Sequence, residues 1–178
     1  MLSVKQIRGL ALALSFLPVA LAAQAASPPA LTDANIVAIF DQANTADIET
    51  GNLAARKGHS PEVKDLGKLF AEGHQTVRQQ GRDLAKRLGI TPVLPKGDQG
   101  LAQAKAALAA ISAKNGAAFD QAYLDHEIAF HQAVIDAVTK SLLPAVQNPE
   151  LKKFIESVAP AFVGHLEQAK AVRQKVVS

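Results

Sequence analysis

Tyr123-Leu124-Asp125-His126-Glu127-Ile128-Ala129-Phe130-His131 sits inside a run, Ala117 to Leu143, that holds neither Gly nor Pro. At about 100° per residue, Phe119, Tyr123, Phe130, Val134, Ala137, Val138 and Ser141 fall on one broad stripe, which predicts an amphipathic helix. Glu127 and His131 are four residues apart, so they project into that stripe one turn above the other. A carboxylate and an imidazole on a buried helix face are costly unless something pairs with them. Such a helix therefore predicts neighbouring helices that bring polar partners inward.

Upstream and downstream, the chain supplies three more long helices. Thr32 or Asp33 can cap the first, which extends to about Lys57 with Ile36, Ile39, Phe40, Ala43, Ala46, Leu53 and Ala54 inward. Asp47 lies within that stripe, and Glu49 lies at its margin. Gly58-His59-Ser60-Pro61 ends one helix and opens the next, with Ser60 as N-cap and Pro61 at the first helical position. The second helix runs to about Leu88, with Val63, Leu66, Phe70, Val77, Leu84, Leu88 and also His74 inside. Thr91 to Gly97 is irregular chain expected to cross one end of the bundle, and Leu101 to Ala113 is a short Ala-rich helix. Pro144 is expected to stop the third long helix, and Asn148-Pro149 opens the last, which reaches Val177. His165 joins its inward face, and Pro160 is expected to bend it.

Composition agrees with an all-α domain. Of the 178 residues 48% are hydrophobic, with Ala supplying much of that share, while aromatics make up 4% and Trp is absent. Thin, close-packed helices suit that inventory better than a β-sandwich. With no Cys, there is no disulfide staple, no lipid-bearing cysteine and no thiolate chemistry. Residues 1–25 read as a secretory signal: Lys5 and Arg8 lead an apolar run, Gly9 to Ala23, and Ala23-Gln24-Ala25 offers a small-x-small cut site. That run, about 15 residues, is shorter than the roughly 20 a membrane span needs. The expected organisation is residues 1–25 signal peptide, 26–32 extended lead-in and 33–178 bundle domain, in a periplasmic protein. Removing Lys5 and Arg8 from 19 basic residues leaves 17 against 16 acids. With both signs interspersed, nucleic acid is not an expected partner, and the mature chain has no transmembrane segment. Protein partners and a homo-oligomer are left open.

Counting about 1.5 Å per residue from each hairpin turn puts Asp47, His74, His131 and His165 at roughly 18 to 28 Å along the bundle. One imidazole or carboxylate from every long helix thus reaches a similar height. Asp47, His74, Glu127, His131 and His165 are the candidate ligands of one divalent transition metal: zinc, iron, copper or manganese. The Glu-x-x-His spacing of di-iron bundles is absent, since Glu127 and His131 are one residue too far apart and Glu72 and His74 one too close. No phosphate loop, zincin run or nucleophile elbow occurs, and no enzyme activity is assigned. The alternative to a metal site is a structural or interaction module of the cell envelope whose polar core sets helix register.

The two halves also echo each other. Phe40-Asp41-Gln42-Ala43 recurs as Phe119-Asp120-Gln121-Ala122, and Ser60-Pro61-Glu62-Val63-Lys64 resembles Asn148-Pro149-Glu150-Leu151-Lys152. Ala46-Asp47-Ile48-Glu49-Thr50-Gly51-Asn52-Leu53-Ala54, Ser60 to Lys64, His74, Ala118 to Tyr123, Glu127, His131, Asn148 to Lys152, Pro160 and His165 together resemble the domain-of-unknown-function family 4142 over nearly all of residues 33–175. Its members are exported bacterial ferritin-like proteins, often labelled putative outer membrane protein. The resemblance implies an up-and-down four-helix bundle, ferritin-like, with a short crossover helix between helices two and three. It implies no established activity. Two positions depart from the family's usual pattern: Asp47, where Glu is commoner, and Gly73, where an acid usually precedes the histidine.

Overall fold

A computed structural model describes residues 30–176 of the chain. The stretch expected to be a signal peptide, residues 1–25, and the first part of the expected lead-in lie outside the described residues. Four long helices dominate: α1 Asp33–Lys57, α2 Pro61–Arg87, α4 Ala117–Ala137 and α6 Pro149–Val176. The short α3, Gly100–Ser112, lies between α2 and α4 in the chain. No strand occurs among the described residues. The helix ends follow local chemistry. Thr32 caps α1 in a reciprocal pair with Asn35, Ser60 caps α2 ahead of Pro61, and Asn148 Oδ1 accepts from Glu150 and Leu151 at the start of α6.

α1 pairs with α2, and α4 with α6, while α2 also packs on α6 and α1 on α4. The closest approach is between α1 and α2, where Gly51 faces Gly67: a Cβ on Gly67 would fall 2.6 Å from the Gly51 carbonyl oxygen. Only glycine permits backbones this near. α3 runs beside α1, tied by Gln42 to Asp98 at 3.2 Å at one end and by Lys57 to the Ser112 carbonyl at the other. Before it, the irregular segment crosses the start of α1 as expected, with Asn35 Nδ2 donating to the Val93 carbonyl at 2.8 Å.

The two hairpins are also stitched reciprocally. Asp120, at the start of α4, accepts from the backbone N–H groups of His59 and Ser60 in the α1–α2 turn, at 2.7 and 2.8 Å. Asp33, at the start of α1, accepts from Gln147 and Asn148 in the turn before α6, at 2.8 and 2.9 Å. Each half therefore caps the other half's turn, at the positions Ser60 and Asn148 that the internal echo aligns, although the acids differ: the counterpart of Asp120 in the echo is Asp41, which pairs with Arg82. The basic row on α2 is largely paired: Arg82 with Asp41, Arg87 with Glu150, and Arg78 with the Thr45 hydroxyl.

One helix departs from expectation. Pro144 does not stop the third long helix. After Ala137 the chain makes a π turn, Val138–Leu142, and then a last helical turn, α5, Leu143–Ala145. Widening the helix just before Pro144 relieves the contact its ring would make with the carbonyl four residues back. The change of pitch shifts the stripe as well. Within the π turn Leu142 is buried and Ser141 exposed; ahead of it, in regular α-helix, Leu124 is buried and Phe130 half-buried. At α6, by contrast, the helix continues through Pro160.

Candidate metal centre

Asn44, Asp47 and Thr50 recur every third residue of α1, and all three are buried. His74 lies on the α2 face opposite, and α4 presents Glu127 and His131 one turn apart. Asp47 is 1% exposed, His74 3%, and Glu127 and His131 are fully enclosed, so water cannot satisfy their polar atoms. His165 of α6 is half-buried. The structure brings all five expected donors to the middle of the bundle. His126 is half-buried against Phe130, and His59 is exposed; neither joins the cluster.

Hydrogen bonds decide which imidazole nitrogen faces inward. Asn44 Nδ2 donates to the Phe40 carbonyl at 2.7 Å, which leaves its Oδ1 to accept from His74 Nδ1 at 2.9 Å. His131 Nδ1 lies 3.0 Å from the Glu127 carbonyl, which can only accept. In both rings Nδ1 therefore carries the proton, and Nε2 presents a lone pair. His74 Nε2 is 3.3 Å from Asp47 Oδ2, and His131 Nε2 is 3.5 Å from the same oxygen. His165 Nδ1 stands 3.0 Å from His74 Nε2. Glu127 holds a Thr50 hydroxyl bond at 2.9 Å on Oε1 and sets Oε2 at 3.5 Å from His131 Nδ1.

Five buried polar atoms have no hydrogen-bond partner among the described residues: both carboxylate oxygens of Asp47, Glu127 Oε2, His131 Nε2 and the Tyr123 hydroxyl. Four of these are metal-ligand atoms, and they belong to one cluster. Two overlapping sets have the spacing to share a cation, His74 with His131 and His165, and Asp47 with Glu127 and His131; within each, the ligand atoms lie within 4.8 Å of one another. His131 belongs to both. The donors are nitrogen and oxygen with no sulfur, which fits borderline first-row ions.

The electrostatics follow from enclosure. Burial raises the Asp47 carboxyl from 3.8 to about 8. Burial, and then the neighbouring Asp47, push Glu127 well above the usual range against the opposing Thr50 bond. Burial lowers His131 to about 4 and takes His74 further down, the other imidazoles adding to the effect. Tyr123 rises for the same reason, with Glu127 and Asp47 contributing. Without a cation, the cluster is held neutral near pH 7. A bound cation reverses the preference of the carboxyls.

Asn44, Thr50 and Asp120 were not among the expected residues. Asn44 and Thr50 share the spacing of Asp47, so a search for uncharged polar residues at i±3 from a candidate ligand finds them. Asp120 has no such signal, because its partners lie about sixty positions away in a turn.

The family model described as domain of unknown function (DUF4142) matches residues 19–172, and the chain belongs to that family. No curated protein matches the sequence. Among solved structures, a DUF305 fragment from Deinococcus radiodurans is similar with a TM-score of 0.69 at 16% identity, covering 83% of this chain and 99% of that one. CopM in the Cu(II)-bound form gives 0.63 at 18% identity, covering 82% and 98%. CopM in the Cu(I)-bound form gives 0.63 at 16%, covering 82% and 97%. At such identities the likeness establishes the helical-bundle fold. Among the described residues no helix is long and apolar enough to cross a membrane.

Proposed function

We propose that this member of the DUF4142 family is an exported protein that binds a first-row divalent transition ion in its bundle core. Asp47, His74, His131 and His165 form the principal donor set, and Glu127 completes it. One observation carries the reading: His74 Nε2, His131 Nε2 and Asp47 Oδ2 turn acceptor lone pairs toward one another at 3.3 and 3.5 Å, while the second nitrogen of both rings is committed to an acceptor behind it. A proton on Asp47 relieves one of those contacts. A cation relieves both and also engages the unpartnered oxygens. Backing each ligand imidazole with a carbonyl is how proteins orient metal-binding histidines.

Three imidazoles beside carboxylates, ordered by intrinsic affinity, favour copper over zinc, iron and manganese. The likeness of the fold to CopM, a protein captured with Cu(II) and with Cu(I), supports the same choice. When bound, the ion supplies positive charge to a dry carboxylate pair, and copper would add one-electron chemistry. Export belongs to the same reading, with cleavage after Ala25 and a periplasmic location, as the composition of residues 1–25 supports.

Melting of the mature chain decides the question. Adding copper or zinc after chelation is expected to raise the midpoint, with a gain of about 2.7 kcal/mol at a hundredfold excess over Kd. His131→Ala should abolish the gain, since both donor sets use that ring, and the exposed His59→Ala should retain it. If neither ion moves the midpoint of the wild-type protein, the cluster is a register-setting polar core.

A further inference from the structure

His165 differs from the other donors in how it meets solvent. Asp47, His74, Glu127 and His131 are at most 3% exposed, whereas His165 is half-buried. Its Nδ1 points inward to His74 Nε2 at 3.0 Å. The ring lies flat on Phe70, with centroids 4.4 Å apart and planes 25° from parallel. The opposite edge rests over Gly73: a Cβ there would stand 3.4 Å from His165 Cε1 and 3.6 Å from Nε2. Gly164, the neighbour of His165 in α6, has nothing within 4 Å of where its Cβ would stand. With a glycine at position 73, that residue places no side chain over this edge of the half-buried ring.

A second approach exists on the other side of the bundle. A cleft of about 600 Å³ between α1, α3 and α4 is lined by Ala107, His126 and Phe130 among others, and reaches Thr50. Thr50 closes that way in, because its hydroxyl is already bonded to Glu127 at 2.9 Å. An ion coming through the cleft would have to break that bond before meeting a donor. At the Gly73 face, the first group met is an imidazole that belongs to a donor set.

We propose that His165 is the loading ligand and that the gap over Gly73 is the entrance of the metal centre. The inference rests on the metal-binding reading above. A hydrated divalent ion exchanges one water for the outer edge of His165. Rotation of that ring then brings the ion to His74 and His131, where the remaining waters leave. The Phe70 face provides an apolar surface on which the ring can turn. An imidazole with one nitrogen toward the buried donors and the other toward the surface is suited to that transfer. Glycine at position 73 keeps the path open.

The chain carries its own reporter. Tyr123 is the only Tyr, Trp is absent, and the phenol is fully buried one helical turn before Glu127. Stopped-flow quenching of tyrosine emission by Cu(II), in the mature protein, follows arrival of the ion. Gly73→Leu, which covers the ring and suits a helix, is expected to slow quenching about tenfold or more. Release to a chelator should slow by a similar factor, with Kd within about threefold of wild type, because a gate acts equally in both directions. Ala107→Leu, which fills the opposite cleft, should leave both rates unchanged. Unchanged rates in Gly73→Leu, slowing in Ala107→Leu instead, or a loss of on-rate matched by a weaker Kd would each overturn the route. Absence of copper from the wild-type protein at equilibrium would instead overturn the metal-binding reading itself.

Discussion

At the scale of single residues, Asn44 is the least conspicuous member of the centre and a demanding test of it. It donates to its own helix and accepts from His74, so it holds the tautomer that frees Nε2. Asn44→Ala should weaken copper or zinc binding about 10- to 100-fold, the usual effect of losing an orienting partner. Isothermal titration against the wild-type protein measures this, and an unchanged Kd would mean that His74 needs no orienting. The acid beside it makes a prediction about pH. Between 3.8 and about 8 the folded chain keeps a proton on Asp47 that the unfolded chain has lost, so this group's contribution to stability falls as pH rises. His131 acts oppositely between about 4 and 6.5, where the folded chain resists a proton that the unfolded chain takes up. Above 6.5 the imidazole's contribution is complete and the acid's loss continues, with Glu127 adding in the same direction. The metal-free protein should therefore lose on the order of 1–2 kcal/mol between pH 6.5 and 8. Asp47→Asn should flatten that slope in urea denaturation, and a wild-type curve level over this window would contradict the assignment.

At the scale of elements, two devices set the helices in place. The Gly51–Gly67 contact brings α1 against α2, and with it Asp47 toward His74. Gly67→Ala would drive a methyl group into the Gly51 carbonyl and the Ala55 backbone nitrogen, at 2.6 and 2.7 Å. Neither is the end of a flexible side chain, so the helices must separate. A loss of about 3 kcal/mol or more, at the upper end of overpacking costs, is expected despite alanine's better helix propensity. The reciprocal turn caps are the second device. Asp120→Ala removes two charge-assisted bonds that tie the α1–α2 turn to α4, and should cost about 2–3 kcal/mol. Chemical denaturation checks both substitutions. Retained copper stoichiometry in Asp120→Ala would show that the cap stabilises the fold without shaping the centre, because it lies at the bundle's end.

For the whole molecule, the prediction concerns the mature form. Amino-terminal sequencing of the protein from a periplasmic fraction should begin at Ala26. An intact Met1 in the membrane pellet would identify residues 1–25 as an anchor instead. The bundle has no cross-link to rely on, since Cys is absent. Its cohesion comes from apolar contacts above and below a polar middle. One cluster gathers around Phe70, Phe119 and Tyr123, another around Ile36, Leu84 and Ile155, with Phe40, Val158 and Phe162 packed beside them. The polar centre is thereby enclosed by hydrocarbon, and that enclosure produces the shifted titrations described above.

Helical periodicity, Gly and Pro punctuation and the capping residues were enough to read four long helices and a short fifth, because each depends on neighbours within about one turn. The same periodicity placed Asp47, His74, Glu127, His131 and His165 on inward faces, and residue counts from the turns brought them to a similar height. What needed the tertiary structure was everything that crosses between helices. The π turn before Pro144 rotates the chain beyond Ala137 by an amount that a fixed 100° step cannot contain, so that Leu142 is buried and Ser141 is not. The roles of Asn44, Thr50 and Asp120 depend on which carbonyl, carboxylate or turn comes to face them from elsewhere in the chain. The direction in which His74 and His131 point their lone pairs is set by acceptors behind the rings, and the edge of His165 is met by a glycine, with no side chain, on the helix across from it. Local sequence determines which face of a helix a side chain occupies. Only packing determines the atom it meets there.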